Sequence, residues 1–456
     1  MSISTAWQGV LQFLPGRTVV VEPSAGQLSS DAGLLPIRAF DERWRMTRRF
    51  ADALHDPRNP ATIDHSFLEM VRARVFGILA DYEDQNDHDV LRHDPVFKML
   101  ANRAPDADPL ASQPTLSRFE NAIDIPSLWR LRDVLIDQFM DTFAAAPTRL
   151  TFDFDAVDDA VHGQQQLALF QGYYEQYQYY PLVVTSADTD AFVGVMLRFG
   201  TAAADLGADE FLDHLVTQVR QRWPDVRILI RGDAGFGTPR MYAVCERLEL
   251  DYTFGLSTNP VLKQRSDAVL AEAVRQWEAT GEPQRRFTAF AYQAASWPIA
   301  RWVVAKAEAH AEGVNRRFVV TNRPGAFLFP DAAYDEYVER GESENRNKEF
   351  KCDMAMDRTS DHRFLANYFR LYLHALALNL LVRLRREIAA GGSRRLAHGS
   401  LGRRRPPPLF LPPPPRRPAG RRPPLHLADA RHQGSGRSRD HHPPGPHPAR
   451  RQLAVS

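Results

Sequence analysis

Residues 149–257 contain strand-like and helix-like patterns, and the order of these patterns restricts the fold class. Three strand-like stretches come first, and a helix, a strand, a helix and a strand follow them. The predicted strands are 149–155, 179–185, 192–199, 226–233 and 252–257, and the predicted helices are 209–223 and 239–250. This order predicts an α/β domain built on a mixed sheet.

Two aspartates end predicted strands of this domain. Asp155 closes the first strand and Asp233 closes the fourth. Strand alternation places Asp153 on the same face as Asp155, with Phe152 and Phe154 on the opposite face. An ionised carboxylate at the buried end of a sheet costs several kcal/mol unless it is paired or binds a metal. A single aspartate after a buried strand is more often a turn-former or a helix cap, so these acids carry an argument only together.

A third acid lies in residues 337–351, which contain no proline and a single glycine. If this stretch is helical, Tyr337, Arg340, Glu344 and Lys351 return to one face at offsets of 0, 3, 7 and 14 residues. An aromatic ring, two cations and a carboxylate make a poor core, but they suit a surface that holds a divalent metal and grips phosphates. The alternative is a solvated charged helix face.

Together, Asp155, Asp233 and Glu344 suit a two-metal site for phosphoryl transfer, with metals about 4 Å apart. Hard carboxylate oxygens select Mg²⁺, with Mn²⁺ as a substitute, over zinc. His162, seven residues after Asp155, is a possible accessory residue, although a satisfied polar side chain explains it equally well. A glycosidase would also use two paired acids, but it leaves Arg340 and Lys351 unexplained.

The flanking regions divide the rest of the chain. Residues 1–147 show apolar residues at helical spacing and predict a mostly helical N-terminal region. Within it, 113–120 could be a DNA-reading helix or an ordinary packing helix. Residues 258–330 contain alternating stretches typical of a β-rich insertion, and helical character resumes over 331–390, which completes the domain begun by 148–257.

Residues 391–456 differ in composition from everything before them. They hold 14 of the 33 prolines, and their fourteen arginines against two aspartates give +12, which leaves −11 for residues 1–390 because the whole chain carries +1. Such a segment cannot pack a core, and we predict that it is disordered. A shifted-frame translation of GC-rich DNA would produce this composition, and a basic arm that binds DNA is the functional alternative. If the acidic residues 1–390 bind DNA, they must do so through local basic patches.

Composition also bounds the location of the protein. The sequence shows no signal-peptide pattern and, on our estimate, no run of the ~18 apolar residues that a membrane helix needs. Two cysteines, Cys245 and Cys352, make neither a disulfide framework nor a zinc cluster. We therefore expect a soluble, cytoplasmic protein with no membrane partner.

At these motifs the sequence resembles bacterial insertion-sequence transposases of the DDE type, which have an RNase H-like catalytic domain. The spacing Tyr337-x2-Arg340-x3-Glu344-x6-Lys351 matches the Tyr-Arg-Glu-Lys signature of the cut-and-paste branch, within transposase DDE domain group one. The stretches 153–165 and 231–236 resemble the first and second acidic motifs of that group. The resemblance covers roughly residues 10–390.

The resemblance implies a role for each residue of the motifs. Asp155, Asp233 and Glu344 would be the catalytic metal ligands, while Arg340 and Lys351 would contact DNA phosphates. Tyr337 would brace or stack near the transferred strand. Asp153 competes with Asp155 as the first acid, and we prefer Asp155 because it lies at the end of the strand.

The resemblance also implies an activity and partners. The protein would cleave the ends of an insertion sequence and join them to target DNA by two-metal-ion phosphoryl transfer. Its N-terminal region would bind the terminal inverted repeats, and a homodimer would hold two ends at once. The alternatives are a catalytically inactive remnant that only binds DNA and a stand-alone metal-dependent nuclease.

Overall fold

The computed structural model describes residues 9–14, 17–22, 29–396, 425–430 and 453–455 of the chain. The strands are β1 (Gly9–Leu14), β2 (Arg17–Glu22), β3 (Arg149–Ala156), β4 (Asp159–Ala160), β5 (Leu169–Gln171), β6 (Gln176–Tyr179), β7 (Leu182–Ser186), β8 (Phe192–Met196), β9 (Arg227–Gly232), β10 (Asp251–Leu256), β11 (Gln284–Tyr292), β12 (Arg301–His310), β13 (Gly313–Thr321), β14 (Leu425–Ala430) and β15 (Leu453–Val455). The helices are α1 (Leu34–Trp44), α2 (Met46–Asp52), α3 (Phe67–Leu79), α4 (His88–Leu91), α5 (Pro95–Leu100), α6 (Gln113–Asn121), α7 (Ile125–Met140), α8 (Ala208–Arg222), α9 (Pro239–Arg247), α10 (Pro260–Arg265), α11 (Asp267–Thr280), α12 (Pro330–Val338), α13 (Gly341–Lys348) and α14 (Phe364–Leu396), with a 3-10 turn at Pro60–Thr62 and a π-helical turn at Glu349–Asp353.

These elements form two compact units. One comprises the described residues of Met1–Leu128 and Leu376–Ser456, and the other is Trp129–Ala375. The first unit is mostly helical and also contains a four-stranded sheet in the order β1-β2-β14-β15. The domain limits drawn from the sequence stay predictions, as do the disorder and the shifted-frame origin of 391–456, most of which lies outside the described residues.

The first unit forms helices where the sequence offers start signals. Ser66 begins α3 by accepting a hydrogen bond from the backbone N–H of Glu69 at 3.1 Å. Pro114 lies in the first turn of α6, which buries Leu116 and Phe119. The prediction of helices in this part of the chain is therefore confirmed, whereas nothing tests a DNA-reading role for α6.

The second unit is built on an eight-stranded mixed sheet in the order β11-β12-β13-β10-β9-β3-β7-β8. Strand β3 lies between β7, which is antiparallel to it, and β9, which is parallel to it. Strand β10 continues the parallel part beside β9. This mixed sheet with flanking helices confirms the α/β, RNase H-like fold class.

Residues 258–330 differ in part from their description as β-rich. They begin with α10 and α11, which the alternation pattern did not reveal, and continue with β11, β12 and β13. Strand β13 pairs antiparallel with β10 from Thr253↔Thr321 to Leu256↔Phe318. The inserted strands therefore extend the central sheet.

The two faces of this sheet differ in chemistry. One face is apolar and packs on α7 and α8; for example, the Phe152 and Phe139 ring centroids lie 5.5 Å apart, and those of Phe154 and Phe211 lie 6.3 Å apart. The opposite face, which we call the polar face, carries Asp153, Asp155 and Arg231, with α12 and α13 over it. A charged sheet face needs partners on the helices that cover it.

One helix within the described residues, Phe364–Gly391, is long and apolar enough by length and composition to cross a membrane, and most of its apolar stretch is buried. The expectation that no segment would be apolar enough was therefore wrong. The burial matches a core helix.

Candidate functional site

The carboxylates of β3 lie on the polar face of the sheet, as strand alternation predicts. Asp153 and Asp155 are both buried, and the neighbouring phenylalanines point into the apolar core on the other side. This confirms the expected alternation. The two carboxylates accept hydrogen bonds from different side chains.

Asp153 is held by Arg231, its neighbour in register on β9. Arg231 Nε donates to Asp153 Oδ1 at 2.7 Å, and Arg231 Nη2 donates to Oδ2 at 3.0 Å. Arg346 of α13 adds a contact to Oδ2 at 3.2 Å. A two-pronged guanidinium–carboxylate pair of this kind is among the strongest hydrogen-bonded arrangements in proteins. Both oxygens of Asp153 are therefore engaged in holding the sheet and α13 together.

Asp155 is held by three side chains from the segment that includes α13. Arg340 Nη1 donates to Asp155 Oδ1 at 2.8 Å. Ser343 Oγ and Asn347 Nδ2 donate to Asp155 Oδ2 at 2.6 Å and 3.0 Å. These three partners are spaced at 0, 3 and 7 residues, which is one face of a helix. Ser343 and Asn347 were missed from the sequence, although the same face argument that selected Arg340 would have found them.

The environment of Asp155 disfavours its charge. Burial raises the pKa of Asp155 to about 6, and the hydrogen bonds and charge of its partners only partly oppose this. The negative charge of Asp233 also raises the pKa of Asp155. The two predicted acids therefore lie close enough for their charges to interact.

Asp233 lies in the turn that follows β9. Its Oδ1 accepts a hydrogen bond from the backbone N–H of Gly235 at 2.8 Å, which fixes the turn. The end of β10 passes close by, since a methyl group added at Gly255 would lie 2.7 Å from Ala234 N and 3.0 Å from Tyr337 Oη. Only glycine leaves room for this close approach of Tyr337 to the turn of Asp233.

The stretch 337–351 is not one continuous helix, which corrects the assumption behind its face. Helix α12 ends at Val338 and α13 begins at Gly341, because Gly341 and its neighbours interrupt the helix there. Arg340 lies in this interruption with helical backbone angles, and its guanidinium is 5.8 Å from the centre of the Tyr337 ring. Tyr337 and Arg340 still share one side and face the acids.

Glu344 reaches this site only through Arg340. Its side chain is 71% exposed, and its Oε1 accepts a hydrogen bond from Arg340 Nη2 at 3.4 Å. Among the described residues, no group of three histidine, cysteine, aspartate or glutamate side chains could hold a metal ion. Arg340 therefore lies between the first and third predicted acids, and the assignment of Asp155, Asp233 and Glu344 as joint ligands stays a prediction.

The remaining predicted residues, Lys351 and His162, differ in their surroundings. Lys351 Nζ donates to the backbone oxygen of Asp158 at 2.8 Å and to its Oδ2 at 2.9 Å, which ties the π-helical turn to the loop after β3. Asp159, beside it, is buried and accepts a hydrogen bond from Thr359 Oγ1 at 3.2 Å. His162 is exposed and has no hydrogen bond or ion pair with any residue that the structure describes. Its accessory role stays a prediction.

The side chains around Asp155 suit a hard divalent cation in their chemistry. The two interacting carboxylates, Asp155 and Asp233, are oxygen ligands of the kind that magnesium prefers. Asn347 Oδ1 is buried beside them with no hydrogen-bond partner among the described residues. In the structure, the guanidinium of Arg340 supplies the positive charge next to Asp155. The site therefore fits a cation in donor type, with Glu344 as an exposed third carboxylate on its border.

A comparison with protein families identifies the family of the chain. The model of the family described as transposase DDE domain group 1 matches residues 11–399. A comparison with curated proteins gave no match. The family match spans most of the chain, so the chain belongs to this family of DNA transposases, whose members generally use divalent metal ions.

Proposed function

We propose that this transposase uses Asp155, Asp233 and Glu344 as ligands of divalent metal ions while it cleaves the ends of an insertion sequence and joins them to target DNA. The observation that carries the proposal is that Arg340 donates to both Asp155 and Glu344, while Tyr337 of the same segment lies at Gly255 beside the turn of Asp233. Mg²⁺, or Mn²⁺ in its place, suits these oxygen ligands. When bound, such a pair of ions activates the attacking hydroxyl and stabilises the leaving oxygen in an in-line displacement at phosphorus.

The residues around Asp155 have distinct tasks in this proposal. Ser343 and Asn347 orient its carboxylate through Oδ2. Arg340 pairs with the carboxylates of Asp155 and Glu344. Its forked donors also match the geometry of a DNA phosphate. We assign to Arg340 a second contact with the phosphate of the reacting strand, once the carboxylates have other cationic partners.

Two further residues would contact the DNA. Lys351, half-buried at the loop of Asp158, provides a point charge for a neighbouring phosphate. Tyr337, half-buried beside Gly255, would brace the transferred strand next to the turn of Asp233. Asp153 has a structural role in this scheme, since Arg231 engages both of its oxygens. His162 stays a possible accessory residue.

The partners follow from the reaction. The terminal inverted repeats of the element and the target DNA are the substrates, and the mostly helical N-terminal region would bind the repeats. A homodimer would hold two ends in one complex. We propose a cytoplasmic location in a bacterium, where the element and its target are accessible.

The test of this function is a cleavage assay with matched variants. The purified protein is mixed with duplexes that carry the DNA flanking its gene, with Mg²⁺ or with a chelator. We expect cleavage only with the metal, and we expect Asp233→Asn and Glu344→Gln to lose at least about a hundredfold in rate, because each removes a charged ligand. Both variants should still bind the ends. Glu342→Gln, an exposed acid on the same helix, serves as the control and should cut like wild type.

Several outcomes would contradict parts of this proposal. Wild-type rates in Asp233→Asn or Glu344→Gln would reject the ligand assignment. Cleavage without joining of 3′-hydroxyl ends to a second duplex would identify a stand-alone nuclease. The other alternative is a catalytically inactive protein that only binds the ends. End binding with no metal-dependent cutting by wild type would establish it.

A further inference from the structure

An exposed cluster of aromatic rings lies on the small sheet formed by β4, β6 and β5. The strands β5 and β6 form a hairpin whose turn is Gly172–Glu175. We call its four outward rings the aromatic hairpin. They are Phe170 (52% exposed), Tyr173 (86%), Tyr174 (37%) and Tyr177 (58%). Folding gains little from rings left in water, so a cluster of four marks a binding surface.

The aromatic hairpin is held firmly at its base. Gln178 is buried and donates from Nε2 to the backbone oxygen of Gly200 at 3.3 Å. Gly200 passes so close to the hairpin that an added methyl group would lie 2.1 Å from the backbone oxygen of Gln178. Tyr179 Oη donates to the backbone oxygen of Gln166 at 2.7 Å. The rings are therefore presented on a fixed platform.

The rings also hold one another in place. Phe170 and Tyr177 are opposite each other in the strand register, and their centroids are 5.5 Å apart in an edge-on arrangement. Tyr173 and Tyr174 pack edge-on at 5.0 Å within the turn. Contacts of this kind fix ring orientation and leave outer ring surface in solvent.

The aromatic hairpin borders the acidic centre. The Tyr174 ring lies 6.2 Å from the ring of Tyr180, and the charge of Asp233 is near enough to Tyr180 to contribute to raising its pKa. Strand β4 follows the end of β3 after two residues and Asp155 after three, and it pairs with β6. The platform is therefore continuous with the site through Tyr180 on one side and β4 on the other.

We propose that the aromatic hairpin stacks unpaired nucleobases of the DNA strand whose phosphodiester lies at Asp155 and Asp233. Every base has a π-face that an aromatic side chain can stack on, whereas paired bases inside a duplex already have their faces covered. The only charged residue between 169 and 179 is Glu175, so the platform offers stacking without a phosphate grip of its own. A cation beside the hairpin, Lys351, supplies that grip: its Nζ donates to Asp158 Oδ2 at 2.9 Å, and Gln176 Nε2 of β6 donates to the same oxygen at 3.4 Å. This inference rests on the proposed function and adds that the strand at the acids is locally unpaired.

The test compares binding of single-stranded and paired DNA. The probe is a twelve-nucleotide oligothymidine with one 2-aminopurine, either alone or annealed to its complement. We expect Tyr173→Ala and Phe170→Ala to bind the single strand about five- to a hundredfold more weakly and to lose the quenching of 2-aminopurine. Binding of the duplex should change less than twofold. Tyr173→Phe should retain wild-type affinity because it keeps the ring.

A matched control and the cleavage assay separate this inference from the proposed function. Phe329→Ala removes a ring that is 64% exposed in the same unit and should bind both DNAs like wild type. A wild type that cuts DNA, with hairpin variants that bind the single strand unchanged, would overturn the stacking inference alone. Equal weakening for single strand and duplex would also overturn it. A wild type that quenches the probe but cuts no DNA would contradict the proposed function and the placement of the stacked base at the acids.

Discussion

The pair between Asp153 and Arg231 allows a test of which aspartate of β3 is structural. Both side chains are at most 2% exposed, and the pair has two hydrogen bonds, at 2.7 Å and 3.0 Å. Removing one partner of a buried pair costs about 3–5 kcal/mol, because it leaves an uncompensated charge. Arg346 remains near Asp153 at 3.2 Å, which favours the lower end of that range.

We therefore expect Arg231→Met to lower the free energy of unfolding by about 3 kcal/mol. With a urea m-value of about 3 kcal/mol per M, the unfolding midpoint falls by about 1 M. Arg227→Met is the control on the same strand. Arg227 is 66% exposed and paired with Asp251 at 3.2 Å, so its loss should cost at most about 1 kcal/mol.

The double variant Asp153→Asn/Arg231→Met completes the cycle. It removes both charges together, so its loss should be smaller than the sum of the single losses by about 1–3 kcal/mol. It should also retain metal-dependent DNA cleavage, because Asp155 and its three partners are unchanged. The stabilities are measured by urea denaturation and the activity by the cleavage assay.

Two results would refute this reasoning. Additive losses in the cycle would show that the pair makes no net interaction. Loss of cleavage in a double variant that is folded and binds DNA ends would show that Asp153 takes part in the chemistry, and it would return Asp153 to the position of first acid.

Two further predictions concern Asp155 and Gly255. The pKa of Asp155 rises on folding from 3.8 to about 6, so the folded protein binds the extra proton between these values; with a chelator present, the contribution of Asp155 to stability should fall by about 3 kcal/mol as the pH rises from about 4 to about 6. Asp155→Asn should make the loss of stability over this range smaller by that amount in thermal unfolding, while other buried carboxylates such as Asp94 and Asp188 keep their own contributions; a pH profile that the substitution leaves unchanged would contradict the burial argument. Gly255→Ala should cost about 1–3 kcal/mol and reduce cleavage at least about tenfold, because its methyl group collides with the turn of Asp233; wild-type cleavage by this variant would show that the turn adapts.

The sequence predicted the parts of the site that local patterns determine. Alternation along β3 placed Asp153 and Asp155 on one face, and the order of strands and helices predicted the sheet. Both signals depend on neighbours in the chain, since burial of one face repeats every two residues in a strand. Helical spacing also placed Arg340 and Glu344 side by side, and Arg340 Nη2 donates to Glu344 Oε1 at 3.4 Å.

The partners of the acids could not be predicted by the same means. The pairing of Asp153 with Arg231 depends on the register between two parallel strands that are 78 residues apart in the chain. No local pattern specifies that register. The position of Glu344 outside the acid pair depends on which face of α13 packs on Asp155: Ser343 and Asn347 bind it, and Glu344 is left exposed. Helices α10 and α11 were missed because strand-like stretches after them dominated the interpretation of 258–330.

The continuous pairing of β10, β13, β12 and β11 has a mechanical consequence. Strands β11, β12 and β13 are bonded to one another along nearly their whole lengths, and β13 is bonded to β10 over its last four residues. A load applied at β11 is therefore transmitted through the hydrogen-bond ladders to β10, beside β9 and the turn of Asp233. The outer edge of the sheet at β11 therefore keeps a fixed distance from the acids, set by the spacing of about 4.8 Å between neighbouring strands.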